Sequence, residues 1–169
     1  MSHIVKIALK FKVQQALEHA VNAASKGAES VDEYKFYDGH VASGLGIQFE
    51  GWVYKAVIDN DGTMIYDTYN GAWGDQSHMD NFCREYTFEV ARLWAMERGY
   101  LVQDNGTTLN IVTPEGGNIA VTADGQVATS GFVGAGCQET TGTLESLMGE
   151  RLTEALTEEF YLAPQYASA

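Results

Sequence analysis

The sequence has few basic residues, and this scarcity limits what the protein can bind. Lysine and arginine together number 10, against 23 aspartates and glutamates, which gives a formal net charge of −13. Neither type occurs between Arg98 and Arg151, and Arg151 is the only one after Leu101. A nucleic-acid interface needs a basic face that displaces counterions from phosphates, and anionic membranes attract basic segments. The composition therefore predicts neither a nucleic-acid nor a membrane partner.

The acidic charge leaves two interpretations open. A basic protein partner, a cation or a neutral ligand suits an acidic surface better than an anion does. Acidity alone, however, also keeps a protein soluble without any partner.

Cysteines and long apolar runs are scarce as well. The two cysteines, Cys83 and Cys137, are too few for a disulfide framework and fit a reducing compartment. No apolar run approaches the ~18 residues of a membrane-spanning helix, and Met1–Lys6 lacks the features of a signal peptide. We therefore expect a cytoplasmic protein. The 169 residues, 45% of them hydrophobic, suffice for one domain, or for one domain with a small appendage.

Hydrophobic periodicity predicts strands and helices in the first two thirds of the chain. An amphipathic helix over 13–24, with Gly27 as a stop signal, follows a strand over 4–11. A helix of about 21 residues starts near Ser77, its expected N-cap, and ends at Gly99. The segments between the helices alternate with turn signals such as Asp59–Gly62. They predict an antiparallel meander with strands over 34–37, 45–49, 52–58 and 63–67.

The last third predicts two more hairpins, over 100–112 and 119–129, a glycine-rich turn and a helix pair over 137–161. Helices do not alternate regularly with strands. We therefore predict an α+β fold, mainly an antiparallel sheet of hairpins covered by helices, with a C-terminal hairpin plus helix pair. The segment Pro114–Gly117 predicts a boundary between a main α+β domain, residues 1–114, and a small β-hairpin/helix domain, residues 115–169, docked on it.

Several motifs in the first part resemble one uncharacterised family. They begin with Met1–Ile4, Gly44–Gln48 and Gly51–Tyr54, and the most specific is Gly71–Gln76 with the helix after it, closed by Arg98–Tyr100. Over residues 1–113 the chain resembles the hypothetical chloroplast reading frame "thirty-five" family of cyanobacteria, plastids and other bacteria, a domain of unknown function.

Residues 115–163 resemble a second, small uncharacterised bacterial family. The similar segments are Ile119–Val121, Asp124–Val127, Gly131–Cys137, Leu144–Gly149 and Glu158–Tyr161. That family often occurs as a separate short protein, so its fusion to a larger unit implies that the two associate. Neither resemblance implies an established activity. A unit of about 50 residues also lacks enough core to be stable alone, and docking would supply the missing burial.

An aromatic group is the strongest candidate binding site in the sequence. We select Trp73, Asp75, Tyr69, Tyr54, Tyr66 and Trp52, with Asp67 among them. Tyr54 and Tyr66 flank one hairpin loop, so we expect them to be cross-strand neighbours. Tryptophan and tyrosine favour pockets and protein interfaces, which makes a binding surface one interpretation. The other is a sheet face packed under the helices, with Asp75 shaping a turn.

The glycine-rich turn before Cys137 is a second candidate. Gly134, Gly136 and Cys137 precede a predicted helix, where backbone amides bind anions and lower the pKa of a thiol. Against this interpretation, no basic residue is close and Glu139 is nearby. A tight turn with a small buried cysteine is the alternative.

We predict no catalytic residue, metal site or cofactor. The cysteine spacing does not suit zinc, and the four histidines are scattered. Asp59 and Asp61 resemble half of a calcium loop but lack its final glutamate, so a hairpin is expected there.

The function favoured by these features is that of a non-catalytic protein-binding or adaptor protein acting through an aromatic and acidic surface. The alternative is a protein that sequesters or senses a neutral or cationic small molecule. A thiol-dependent enzyme using Cys137 is a third hypothesis. A homo-oligomer is left open.

Overall fold

The structure is a computed structural model, and it describes residues 4–123 and 127–130. These residues form two helices and nine strands, and the strands make two antiparallel sheets. The predicted α+β fold with antiparallel sheets is thereby confirmed. The helix pair predicted over 137–161 lies outside the described residues.

The first sheet contains five strands in the order β1-β5-β4-β3-β2. Its elements, with the helix between the first two strands, are β1 (Val5–Lys10), α1 (Gln14–Ala24), β2 (Gly27–Lys35), β3 (Val41–Gln48), β4 (Ala56–Ile58) and β5 (Thr63–Tyr66). The long helix and the four-stranded second sheet follow, with strand order β6-β7-β8-β9. They are α2 (Gln76–Glu97), β6 (Leu101–Asp104), β7 (Thr108–Val112), β8 (Asn118–Thr122) and β9 (Val127–Ser130).

The main hydrophobic core joins both helices and both sheets. Helices α1 and α2 pack against each other, and Phe82 and Trp94 of α2 are fully buried in this core. The second sheet contributes Leu109, Ile111, Ile119 and Val121, all fully buried. A smaller core covers the opposite face of the first sheet and consists of Phe36, Ala42, Val57 and Ile65. The first sheet is therefore buried on both faces, which explains why β3 is buried almost continuously rather than at alternate residues.

Strand pairing crosses the predicted boundary near residue 114. Val112 in β7 pairs with Asn118 in β8, and the Thr113 amide donates to the Gly117 carbonyl at 2.9 Å to close the turn. The division into domains 1–114 and 115–169 stays a prediction. In the described residues, the two sides of residue 114 share one sheet and one core.

Three local predictions are wrong, each for a physical reason. Gly27 is not the stop signal of α1, whose C-cap is Ser25. It begins β2, a nine-residue strand that was missed because its exposed side chains give little hydrophobic periodicity. Residues 52–55 form a turn, so that only Ala56–Ile58 of the predicted 52–58 strand pairs in the sheet. Asp75 rather than Ser77 caps α2, because its side chain accepts a hydrogen bond from the Ser77 amide.

Candidate functional site

The predicted aromatic residues separate into a buried group and a surface group. Trp52 and Tyr66 are each 5% exposed and belong to the main core. Their ring centroids lie 5.7 Å apart, and Trp52 also contacts Phe49 at 4.8 Å. The packed-face interpretation therefore describes these two residues, and their binding role stays a prediction.

Tyr54 and Tyr66 are not cross-strand neighbours, so that prediction is wrong. Tyr54 lies in the turn before β4 and packs with Phe36 against the smaller core. Tyr66 ends β5 and faces the main core on the other side of the sheet. The turn at residues 52–55 removes Tyr54 from the strand register on which the expectation depended.

Three tyrosines surround Trp73 and form what we call the aromatic cluster: Tyr37, Tyr54, Tyr69 and Trp73. Trp73 stacks on Tyr69, with ring centroids 4.8 Å apart and ring planes 24° from parallel. Its centroid also lies 5.2 Å from that of Tyr37 and 5.3 Å from that of Tyr54. Tyr37 is 67% exposed, and the other three rings are half-buried. The cluster thus presents aromatic surface to solvent.

The backbone around Trp73 is held by hydrogen bonds on both sides. The Trp73 amide donates to the Thr68 carbonyl at 2.8 Å, and the Trp73 carbonyl accepts from the Val53 amide at 2.8 Å. Val53 itself is 62% exposed and adds an aliphatic side chain next to the turn that carries Tyr54. Because these contacts fix the loop before any ligand arrives, binding there requires little additional ordering.

The loop that carries Tyr69 adopts an uncommon conformation. Tyr69 and Asn70 have φ angles of 49° and 53°, a left-handed region that costs non-glycine residues about 1 kcal/mol or more each. The buried carboxylate of Asp67 supports this conformation, because its Oδ1 accepts a hydrogen bond from the Tyr69 amide at 2.9 Å. The left-handed conformation at Tyr69 and Asn70 thus accompanies the stacking of Tyr69 on Trp73.

Gly74 and Asp75 anchor the same loop to the core and to α2. A Cβ at Gly74 would lie 2.7 Å from the indole ring of Trp52, so that only glycine fits beside that ring. The Trp52 Nε1 donates to the Asp75 carbonyl at 3.0 Å. The Asp75 carboxylate is exposed, and hydrogen bonds from Ser77 lower its pKa below the usual range. These contacts give Asp75 a capping role, and its binding role stays a prediction.

Tyr37 is the member of the cluster that the sequence interpretation missed. It lies in the tight turn between β2 and β3, where the Phe36 amide donates to the His40 carbonyl at 2.8 Å. The Asp38-Gly39 turn was visible in the sequence. Nothing local indicated, however, that this turn would lie beside a loop more than thirty residues away.

The other predicted sites give a mixed picture. Gly134, Gly136 and Cys137 lie outside the described residues. Asp59 builds a hairpin turn, because its Oδ1 accepts from the amides of Asp61 and Thr63 at 2.9 and 3.0 Å. In residues 4–123 and 127–130, no group of three or more histidines, cysteines or acids is placed to hold a metal ion. Within the same residues, neither helix combines the length and hydrophobicity that crossing a membrane requires.

Cys83, on α2, is expected to react slowly with alkylating agents. Its burial, with a smaller contribution from the negative charge of Asp80, raises the pKa of the thiol from 9.0 to about 12. The thiolate is the reactive form, so its fraction at neutral pH falls about a thousandfold. In a Cys137→Ser chain, iodoacetamide should label Cys83 at least about a hundredfold more slowly than free cysteine. The same variant unfolded in urea is the control. If Cys83 in native buffer reacted as fast as free cysteine, the burial of its thiol would be contradicted.

Comparison with known proteins gives one family match. Residues 118–161 match a family described as a protein of unknown function (DUF2997). This range begins with β8 and includes β9, and it falls within residues 115–163, for which the sequence predicts similarity to a small uncharacterised family. No curated protein and no solved structure gives a significant match to the chain.

Proposed function

We propose that the protein is a non-catalytic binding protein whose aromatic cluster holds a basic segment of a protein partner. The observation that supports this function best is the arrangement of three tyrosine rings around Trp73, with centroids within 4.8–5.3 Å, while hydrogen bonds hold the Trp73 backbone in place. Tryptophan and tyrosine dominate the binding energy of protein interfaces, since they bury large areas with few rotatable bonds.

The chemistry of the cluster favours a cationic side chain in the partner. A lysine or arginine within about 6 Å of a tryptophan or tyrosine centroid is attracted by the ring quadrupole. The chain's net charge of −13 steers basic segments towards it. The exposed residue Asp38 follows Tyr37 in the same turn, and its carboxylate Oδ1 accepts a hydrogen bond from the His40 amide at 2.8 Å.

We also infer that the two sequence resemblances describe two associated units: residues 1–113 with the chloroplast reading frame family and residues 115–163 with the smaller family. The match over residues 118–161 concerns only the second unit. The contribution of Ile119 and Val121 to the core around α2 supports their association, since a unit this small gains burial by docking.

The partner-binding proposal predicts that Trp73→Ala and Tyr37→Ser each weaken capture of the partner at least about tenfold. Leu101→Ser is the matched control, because Leu101 is 70% exposed and lies in the second sheet. Partners captured from a host extract are identified by mass spectrometry, and affinities are then measured with the purified partner. Circular dichroism establishes that all three variants are folded.

The basic character of the partner is tested with peptides from the captured segment. Peptides in which glutamine replaces lysine and arginine should bind at least about tenfold more weakly, and added salt should weaken the unmodified peptide. Equal capture by wild type and Trp73→Ala would remove the cluster from the interface. Binding of tetramethylammonium at the cluster without capture of any protein would favour the small-ligand alternative.

A further inference from the structure

A polar groove lies between the C-terminal end of α1 and the first turns of α2, and it has a cavity volume of about 320 Å³. This volume is within the range of small-molecule sites. No residue of the aromatic cluster lines it. Its polar side chains are Ser25, Lys26, Glu50, His78, Asn81, Arg84 and Glu85.

The α2 side of the groove offers hydrogen-bond donors that the described residues use little. His78, Asn81 and Arg84 are spaced three residues apart and so share one face of the helix. The guanidinium of Arg84 reaches the Gly106 carbonyl and the Glu85 carboxylate only at 3.5 Å, the outer limit of a hydrogen bond. Its side chain is 36% exposed, and five N–H groups form a fork that matches carboxylate and phosphate.

The lysine, the arginine and the two glutamates of the groove balance one another in charge. Glu50 pairs with Lys26 at 3.3 Å, and the Glu85 side chain lies 3.5 Å from the Arg84 guanidinium and 2.8 Å from the His19 ring. Because both contacts of the Arg84 guanidinium are at 3.5 Å, it can turn towards an anionic group of a ligand, and the mixed charges of the groove favour a ligand that carries both signs. The opposite wall is the C-terminal end of α1, whose carbonyl groups favour hydrogen-bond donors or cations.

We infer that this groove binds a small amphoteric molecule. Its carboxylate or phosphate group contacts Arg84 and Asn81 on α2. Its ammonium or hydroxyl groups face Glu50 and the end of α1. The two walls thus recognise opposite ends of one ligand.

Titration of the ¹⁵N-labelled full chain tests this site with acetate, inorganic phosphate and O-phosphoserine as probes. We expect saturable shifts of the Asn81 side-chain amide and the Arg84 guanidinium signals with at least one probe at millimolar concentration. Comparison of the acetate and phosphate titrations shows whether the groove binds a carboxylate or a phosphate group. O-phosphoserine should bind more tightly than phosphate, because its ammonium group reaches the second wall.

Arg84→Gln should weaken the best probe at least about tenfold, which corresponds to about 1.4 kcal/mol. Arg92→Gln is the matched control, since Arg92 lies on the same helix but pairs with Glu89 and Asp104 outside the groove. Both substitutions remove one positive charge. Equal weakening by both would overturn the site in favour of general electrostatic attraction, as would the absence of saturable shifts with all three probes.

Discussion

Replacing Gly44 with alanine is expected to lower the free energy of unfolding by about 4 kcal/mol or more. A Cβ at this position would lie 2.0 Å from the carbonyl oxygen of Ile58 and 2.9 Å from its carbonyl carbon. These are backbone atoms of the neighbouring strand, so no side-chain rotation relieves the clash. The φ angle of Gly44 is 149°, which residues with a Cβ rarely adopt.

The strands around Gly44 must separate to accept a methyl group. Gly44 pairs with Val31 in β2, and the next residue, Leu45, pairs with Ile58 in β4. Separation of β3 from β4 would disturb the central ladder of the first sheet and expose the adjacent buried side chains. The loss is a large fraction of the about 5–15 kcal/mol that stabilises a typical domain.

Urea denaturation followed by tryptophan fluorescence measures this effect, and Gly46→Ala is the matched control in the same strand. A Cβ at Gly46 meets side-chain atoms, the closest being a methyl carbon of Val31 at 2.8 Å, and its φ angle is not positive. We expect that control to lose about 1–2 kcal/mol. If Gly44→Ala does not fold, the control still folds and the contrast remains measurable. Equal, small losses in both variants would contradict the close approach of β3 and β4.

The elements with local signals are the ones that the sequence predicted well. Helix α2 is long and has a continuous apolar stripe, and it ends before Gly99 as expected. The hairpin between β4 and β5 is set by Asp59, whose side chain bonds to the two amides of its own turn. Such features depend on neighbours in sequence, so a short window contains the necessary information.

Strand β2 and the aromatic cluster show why the rest could not be predicted. Most side chains of β2 are exposed, and its strand conformation follows from backbone pairing with β3 rather than from its own composition. The cluster needs the β2–β3 turn, the turn before β4 and the loop before α2 to meet at Trp73. This meeting is a property of the sheet order, which the sequence pattern left undetermined.

The residues of the Trp-Gly-Asp motif at positions 73–75 have different roles. Gly74 and Asp75 fix the loop through Trp52 and the cap of α2, whereas Trp73 packs against the tyrosines of the aromatic cluster. The sequence interpretation treated the residues as one binding group. In the structure, one presents its ring and the other two hold the backbone that positions it.

Replacing Tyr86 with phenylalanine is expected to lower the free energy of unfolding by about 3 kcal/mol. The hydroxyl of this fully buried residue accepts hydrogen bonds from the Lys12 and Val13 amides, both at 3.0 Å. Val13 is the N-cap residue of α1, so the Tyr86 oxygen, from α2, holds the two amides of the segment that leads into that helix. Phenylalanine keeps the ring packing but leaves the buried Val13 amide without an acceptor.

Tyr100→Phe is the control for the loss of a hydroxyl group. The Tyr100 ring packs edge-on against Trp94 at 5.7 Å and is half-buried. Its substitution should change stability by no more than about 0.5 kcal/mol. Urea denaturation of the three proteins at neutral pH gives the comparison. A Tyr86→Phe loss as small as that of the control would show that these two hydrogen bonds do not stabilise the fold.

The pH dependence of stability tests whether the Tyr86 hydroxyl is buried in its neutral form. Burial raises the pKa of Tyr86 in the folded chain above its ordinary value of 10.0, because the charged phenolate is disfavoured there. The unfolded chain therefore releases the phenolic proton first as pH rises. The stability that the neutral hydroxyl contributes is complete below pH 10 and declines from there towards the folded-state pKa. Phenylalanine has no such proton, so the stability difference between wild type and Tyr86→Phe should shrink above pH 10 and stay constant below it. A difference that remains unchanged above pH 10 would contradict the burial of a neutral hydroxyl at this site.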